Sequence, residues 1–172
     1  LDAIRAGDRL PIDLHGAALL QLGSYSEEVD GQLRLRYLNP TTSTRFNDFM
    51  PEIIRSQGLR VVGGKGGLDD CSVQAMRAAG CVYLSFLGGG CTLLSRAIRE
   101  VIAVEWADLV PHYRLVKLRV EGLGPATVGI DAQGHSLYAS LAHSAKQRLP
   151  EILDGLAEAR KRAAPASGRS QS

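Results

Sequence analysis

The chain has 172 residues, of which 45% are hydrophobic, and its 20 basic and 18 acidic residues give a formal net charge of +2. This length suits one compact domain with a substantial core, and the balanced charge, without a basic stripe and interleaved aromatics, argues against nucleic-acid binding. No apolar run is long enough to span a bilayer and no signal-type segment opens the chain, so we predict a cytoplasmic protein.

Short apolar runs alternate with amphipathic ones in the first half of the chain, a pattern typical of α/β units. Because residues 24–31 are polar, we predict them to be a loop between two strands. A helix over 50–57 is favoured by Pro51 in its first turn and by Gly58 as its C-terminal stop. The strands predicted for this half cover residues 16–22, 33–38 and 59–62.

The middle of the chain predicts a second helix and a central strand. Either Asp69 or Asp70 can cap a helix that ends before Gly80. The nearly all-apolar run 81–87 predicts a strand buried on both faces. The buried stripe predicted for the helix consists of Val73, Met76 and Ala79.

A glycine triplet follows that strand. Gly88-Gly89-Gly90 precedes residues 92–100, whose spacing predicts another helix. A strand, a triple glycine and a helix N-terminus either bind an anion or only let the helix pack closely on the sheet, and the sequence leaves both readings open.

The last third of the chain predicts further strands and a final helix. Residues 131–134 read as a turn, and residues 140–162 have helical spacing that Pro150 is expected to split or kink. We predict one domain over residues 1–162 and a disordered tail over 163–172. The strands predicted here cover residues 101–105, 115–120 and 126–130.

Two segments favour a binding site for a small polyanion. The first, Asn39-Pro40-Thr41-Thr42-Ser43-Thr44-Arg45, offers hydroxyls and a guanidinium. In the second, Gly63-Gly64-Lys65-Gly66-Gly67, an ammonium lies among residues that let backbone N–H groups approach a ligand. One forked and one compact cation suit the two carboxylates of one metabolite. Alternatively, the first segment is a loop and helix cap and the second a flexible turn.

Other chemistry finds little support in the sequence. Gly66 follows Lys65 where a P-loop needs Ser or Thr, which argues against a P-loop NTPase. The odd number and wide spacing of the cysteines favour buried structural thiols over disulfides or metal ligands. The histidines are isolated and are predicted to lie at the surface or in turns. These residues are Cys71, Cys81 and Cys91, and His15, His112, His135 and His143.

An ordered series of motifs resembles one family. The series is Pro40-Thr41-Thr42-Ser43-x-Arg45, Gly64-Lys65-Gly66, Ala79-Gly80-Cys81-Val82-Tyr83, Gly88-Gly89-Gly90, Val120-Glu121 and Asp131-x-x-Gly134. Over residues 8–139 it is similar to the beta subunit, or C-terminal domain, of iron–sulfur-dependent class I fumarate hydratases and L-tartrate dehydratases.

The resemblance implies an α/β fold, a swivelling β/β/α domain with a mixed sheet that covers an active site shared with an alpha subunit. It also implies a four-iron iron–sulfur cluster held by cysteines of that subunit and no metal in this chain. Carried over by residue, Thr42, Arg45 and Lys65 bind substrate, and Thr41 lies near the carbon that loses a proton. The implied function is reversible dehydration of a small hydroxy-dicarboxylic acid, of the fumarate/malate or tartrate type, by a hetero-oligomer that could also self-associate.

The sequence departs from the family pattern in places. It lacks the Arg-Asp-x-x-His segment that members carry shortly before the matching region, and Phe46-Asn47-Asp48 stands where they have Met-Asp. Because the chain starts with Leu1 and the resemblance begins almost at once, we expect the native protein to extend upstream and to include that segment. The alternative is a noncatalytic carboxylate-binding or regulatory module that keeps Thr41, Arg45 and Lys65.

Overall fold

The computed structural model describes residues 2–110 and 113–163, without the side chains of Gln32, Leu33 and Cys91. These residues form two compact units, one up to Ser136 and one from Leu137 onward. The extent of a single domain over 1–162 stays a prediction. The elements of the first unit are α1 (Asp2–Ala6), β1 (Ala18–Leu20), β2 (Leu22–Val29), β3 (Gln32–Pro40), α2 (Met50–Gln57), β4 (Val61–Gly64), α3 (Asp70–Ala79), β5 (Val82–Phe86), α4 (Cys91–Arg96), β6 (Ile98–Glu105), β7 (Leu115–Val120) and β8 (Ala126–Ile130).

A mixed sheet organises the first unit. Its strands lie in the order β1-β4-β5-β8. Strands β1, β4 and β5 run parallel, and β8 pairs with β5 in the antiparallel sense. Strand β4 reaches its parallel neighbour β5 through α3, as parallel pairing requires a crossover. This sheet and its helices confirm the predicted α/β fold with a mixed sheet.

A hairpin stands where a polar loop was predicted. Residues 24–31 are not a loop, because Leu22–Val29 is a strand that pairs along its length with β3 in the antiparallel sense. The two strands are joined at Asp30 and Gly31, whose φ angles of 54° and 73° are typical of a two-residue hairpin turn. Polar composition misled the prediction, since a two-stranded ribbon can expose polar side chains and still satisfy its backbone.

Two helices match their sequence signals. Helix α2 covers the predicted residues and ends at Gly58 in the left-handed conformation. In α3, the Asp69 carboxylate accepts the Ser72 N–H at 2.9 Å, and Gly80 ends the helix with a φ of 64°. Of the stripe predicted for α3, Met76 is buried, whereas Val73 and Ala79 are half-buried; Ser72 and Ala75 are the other buried positions.

The helix predicted over 92–100 is shorter than expected. Helix α4 ends at Arg96, and Ile98 already begins β6, which pairs with β7 in the antiparallel sense. Pairing with a strand some twenty residues away overrides the local helical spacing there. The predicted strands 115–120 and 126–130 match β7 and β8, and the turn is closed by the Gly134 N–H donating to the Asp131 carbonyl at 3.0 Å.

Buried side chains converge on the central strands. Val62 on β4 and Tyr83 on β5 are fully buried, as are Ile54 on α2 and Met76 on α3. A further apolar cluster joins β3, β5 and α4. Its buried members are Leu38, Phe86 and Leu94. Burial on both sides of β5 agrees with the all-apolar run from which this strand was predicted.

The second unit is one long helix, α5 (Leu137–Ala163). It continues through Pro150, which was expected to split or kink it. None of its residues is buried. The tail predicted over 163–172 lies outside the described residues apart from Ala163, which ends the helix. No helix that the structure describes is both long and apolar enough to cross a membrane.

Candidate functional site

The candidate site lies where three parallel strands end. Strands β1, β4 and β5 point the same way, so their carboxyl ends meet at one edge of the sheet. The residues that follow are Gln21 after β1, Lys65 after β4, and Leu87 with Gly88 after β5. Open α/β sheets bind ligands at this edge, because loops converge there over the strand ends.

The backbone brings the predicted threonines beside the predicted lysine. Thr42 and Lys65 form an isolated parallel bridge. The Lys65 N–H donates to the Thr41 carbonyl at 3.0 Å, and the Ser43 N–H donates to the Lys65 carbonyl at 2.8 Å. Thr41 and Thr42 are half-buried. Three of the four predicted site residues, Thr41, Thr42 and Lys65, therefore occupy neighbouring positions on two paired segments.

Gly64 allows this close pairing. A Cβ built there would overlap the Ser43 Oγ and would lie 3.2 Å from the Thr41 carbonyl oxygen. Any side chain at this position would push the threonine segment away from β4. The glycine before the lysine thus serves close backbone approach, rather than simply a flexible turn.

The Lys65 side chain extends toward the glycine triplet. A Cβ built on Gly88 would lie 3.9 Å from the Lys65 Cδ and 4.0 Å from its Nζ. Lys65 is half-buried. Its ammonium forms no hydrogen bond or ion pair with any residue in 2–110 or 113–163. A cation that is partly withdrawn from water and unpaired within its own chain is suited to an anionic ligand.

Arg45 lies beyond the threonines in a short 3-10 turn, Ser43–Phe46. The guanidinium is exposed and, like the Lys65 ammonium, pairs with no described residue. The next residues are held in place, since the Asn47 side-chain oxygen accepts the Asp69 N–H at the start of α3 at 3.2 Å. Arg45 is therefore joined to the site by sequence and turn geometry, and no contact ties it to the lysine.

Gln21 is a neighbour of the site that the sequence did not single out. Its carbonyl accepts the Thr41 N–H at 3.0 Å, and its own N–H donates to the Gly63 carbonyl at 2.6 Å. The side-chain Nε2 donates to the Met50 Sδ at 3.2 Å, while the buried Oε1 accepts no hydrogen bond from a described group. Its signal in the sequence was its place directly after a predicted strand.

The described thiols do not fit a metal cluster. Cys71 is exposed on α3, contrary to the prediction that the cysteines are buried, because its position on the helix faces solvent. Cys81 is buried as predicted, and burial raises the pKa of its thiol to about 11, which disfavours the thiolate that a metal needs. Within the described residues, no three His, Cys, Asp or Glu side chains cluster as metal ligands would.

The histidines that the structure describes lie at the surface, as predicted. His135 forms an ion-pair geometry with Asp131 in the turn after β8, with 2.8 Å between its Nδ1 and the carboxylate. That hydrogen bond lowers the pKa of Asp131. The prediction for His112 lies outside the described residues.

A larger cleft lies elsewhere, between β3 and β6. Its volume is about 680 Å³ and arginines line it. Two of them are paired within the chain, Arg36 with Glu27 and Arg99 with Glu121. Since these pairs neutralise part of its charge, the unpaired cations beside the threonines remain the stronger candidate for anion binding.

Comparison with known proteins gives one consistent result. The family model described as Fumarase C-terminus matches residues 1–141. The L(+)-tartrate dehydratase subunit beta of Escherichia coli K12 is 28% identical over 149 residues, which cover 87% of this chain and 74% of that protein. A Methanocaldococcus jannaschii protein, provisionally named L(+)-tartrate dehydratase subunit beta, is 27% identical, with 89% of this chain and 79% of the relative covered. A Geobacillus stearothermophilus protein, provisionally named class I fumarate hydratase, is 29% identical over 83% of this chain but only 28% of its own length.

Proposed function

The chain belongs to the Fumarase C-terminus family, and from this premise we propose that it is the beta subunit of a hydro-lyase. The reaction proposed is the reversible removal of water from a small hydroxy-dicarboxylic acid, of the malate or tartrate type. The observation that carries the proposal is the pairing of Thr41 and Thr42 with Lys65 at the carboxyl edge of the sheet. It places hydroxyls beside an unpaired ammonium within a family whose relatives include proteins named as dehydratase subunits.

Binding comes from the two unpaired cations. In the proposed complex, the Lys65 ammonium binds one substrate carboxylate from its half-buried place beside Gly88, and the Thr42 hydroxyl donates to the same group. The Arg45 guanidinium binds the other carboxylate through its two-pronged face. Two charges held at fixed points select a dicarboxylate over a monocarboxylate, because only the dicarboxylate satisfies both.

Thr41 is proposed to act at the carbon that loses its proton. Removal of a proton next to a carboxylate builds negative charge, which Lys65 stabilises more strongly as the charge develops. The Thr41 hydroxyl is a weak base at neutral pH unless a neighbouring group takes its proton. We therefore assign to Thr41 a position at the reacting carbon, and the group that finally accepts the proton to the partner side of the site.

A partner completes the proposal. The described thiols of this chain do not fit a metal cluster, and the resemblance places a four-iron iron–sulfur cluster in an alpha subunit. We propose the same division here: a cytoplasmic hetero-oligomer in which the alpha subunit holds the cluster and this chain supplies Thr41, Thr42, Arg45 and Lys65. The noncatalytic alternative is not favoured, since the relatives in the comparison are named as dehydratase and hydratase proteins.

The test is co-expression with the candidate alpha subunit, anaerobic cluster reconstitution, and a screen of hydroxy-dicarboxylates for alkene absorbance. We expect turnover only when both chains are present. Wild-type chain should be compared with Lys65→Met, and with Lys117→Met as a control at an exposed lysine on β7. Full activity of Lys65→Met, or activity of the alpha subunit alone, would contradict the proposal. Dicarboxylate binding without turnover in the loaded complex would favour the noncatalytic module.

A further inference from the structure

Helix α5 carries a regular apolar stripe along its length. Six apolar residues lie alternately three and four positions apart, which is the spacing of the a and d positions of a coiled coil. They are Ala142, Ala145, Leu149, Ile152, Leu156 and Ala159. The three large members are about half exposed or more, with 49% for Leu149, 49% for Ile152 and 52% for Leu156. The stripe is thus an unpartnered coiled-coil seam in the described structure.

Most of the stripe lies outside the part of the chain that the family shares. The family match ends at residue 141, and α5 continues to Ala163. The seam begins at Ala142, the first residue beyond the match. Its purpose is therefore separable from the residues at the carboxyl edge of the sheet.

The charges beside the seam favour a second copy of the same helix in parallel. In a parallel coiled coil, each g position faces the following e position of the neighbour. The facing pairs here are Leu141 with Lys146, Arg148 with Leu153, and Gly155 with Arg160, so no like charges meet. In an antiparallel pair e faces e, which brings Lys146 opposite Arg160 and creates repulsion.

The remaining polar residues lie on the outer face. Glu151, Asp154 and Glu158 fall at c and f positions, where they remain in water. Pro150 falls at a b position, away from the seam, so its missing N–H and its ring do not enter the packed layers. The arrangement of the whole helix is consistent with one buried seam and one solvated back.

We propose that α5 joins copies of this chain into a parallel coiled coil. Leu149 and Leu156 at a with Ile152 at d form its central layers, and alanines form the layers at either end. Leucine at a with isoleucine at d favours three or four helices over two. The proposal therefore commits to a second copy as the occupant of the seam, and to an assembly larger than a dimer.

Molar mass of the full chain in solution tests the proposal. Wild type should sediment as a trimer or tetramer at micromolar concentration. The double variant Leu149→Gln/Ile152→Gln should raise the dissociation constant at least a hundredfold, whereas the matched control Glu151→Gln/Ala157→Gln, on the outer face, should leave it unchanged. Near-UV circular dichroism should be the same for all three, which separates loss of assembly from loss of the fold around the sheet.

Three outcomes would overturn the proposal. A monomeric wild type would mean that the stripe is satisfied within one chain, and a dimer would contradict the packing assigned to Leu149 and Ile152. An assembly that persists in the double variant would place the interface elsewhere on the surface.

Cysteine crosslinking tests the orientation. Ala142→Cys should form a disulfide with Ala142→Cys of another copy, identified by mass spectrometry of the linked peptides. A mixture of Ala142→Cys and Ala159→Cys chains should give few crosslinks between the two sites. Preferential linkage of position 142 to position 159 would show antiparallel helices and overturn the parallel arrangement.

Discussion

The Ser43 hydroxyl and the Tyr83 hydroxyl lie 2.8 Å apart in the protein interior and form a hydrogen bond. Ser43 follows the two site threonines, and Tyr83 lies on β5, the strand that continues toward the glycine triplet. Both residues are fully buried. This bond therefore fastens the threonine segment to the central sheet from below, while Lys65 fastens it at the edge.

Ser43→Ala should destabilise the protein, because it removes a buried hydrogen bond and leaves the Tyr83 hydroxyl one partner fewer. Such a loss costs about 0.5 to 3 kcal/mol of unfolding free energy, measurable by urea denaturation. Ser56→Ala, at an exposed serine on α2, is the matched control and should change stability little. A double-mutant cycle with Tyr83→Phe should give a coupling of about 0.5 kcal/mol or more; strictly additive effects would contradict a direct bond.

Gly64→Ala should disturb the site more than the fold. The new methyl group overlaps the Ser43 Oγ and crowds the Thr41 carbonyl, so the Thr42–Lys65 bridge must open. Overpacking of this kind costs about 1 to 3 kcal/mol, and dicarboxylate binding by calorimetry should weaken at least tenfold. Gly155→Ala is the control, since nothing lies within 4 Å of a Cβ there and alanine favours a helix. Unchanged binding by Gly64→Ala would separate the bridge from the site.

Lys65→Met should reduce dicarboxylate binding while the melting temperature stays nearly constant. Methionine keeps much of the stem volume beside Gly88 and removes only the ammonium. Loss of one charge-assisted contact costs about 1.5 to 3 kcal/mol, or roughly ten- to a hundredfold in affinity. The exposed Lys117→Met variant should bind as wild type does. Equal affinities for both variants would remove Lys65 from the site.

Arg45→Lys should also weaken binding, since one ammonium does not reproduce the two parallel hydrogen bonds of a guanidinium to a carboxylate. The effect should be confined to dicarboxylates and absent for monocarboxylates, if Lys65 holds the first carboxylate. Titration of both ligand classes against Arg45→Lys and wild type measures this. Arg55→Lys, at another exposed arginine, serves as control. Identical losses for both ligand classes would contradict the assignment of Arg45 to the second carboxylate.

Cys81 should make stability decrease with pH in the alkaline range. Burial raises the pKa of its thiol from 9.0 to about 11. The folded state therefore favours the neutral thiol, and the stability it contributes is complete below pH 9 and is lost as pH rises toward about 11. Unfolding free energy across this range should fall more steeply for wild type than for Cys81→Ala. Cys71→Ala, at the exposed thiol, should follow wild type; parallel curves for all three proteins would contradict the pKa shift.

The sequence by itself determined the elements whose signals are local. Helix α2 could be read from Pro51 and Gly58, because a fixed φ at the start and a left-handed residue at the end act within one turn. The same holds for α3 between Asp69 and Gly80. Strand β5 could be read from its continuous apolar run, since a strand covered on both faces needs no polar positions.

Tertiary structure alone decided the elements whose partners are distant. Residues 24–31 form a strand because β3 pairs with them, and residues 98–100 leave the helical conformation because β7 does. Neither pairing leaves a mark in local composition, since strand preference depends on the neighbour that a strand finds.

The site divides in the same way. The sequence was enough to select Thr41, Thr42, Arg45 and Lys65 as candidates, because their motifs combine hydroxyls, cations and glycines. It did not show that Ser43 would bond to Tyr83 or that Gln21 would hold Thr41. Those contacts follow from the order of strands in the sheet, which sets residues far apart in the chain beside one another, and a linear pattern of residue types contains no record of that order.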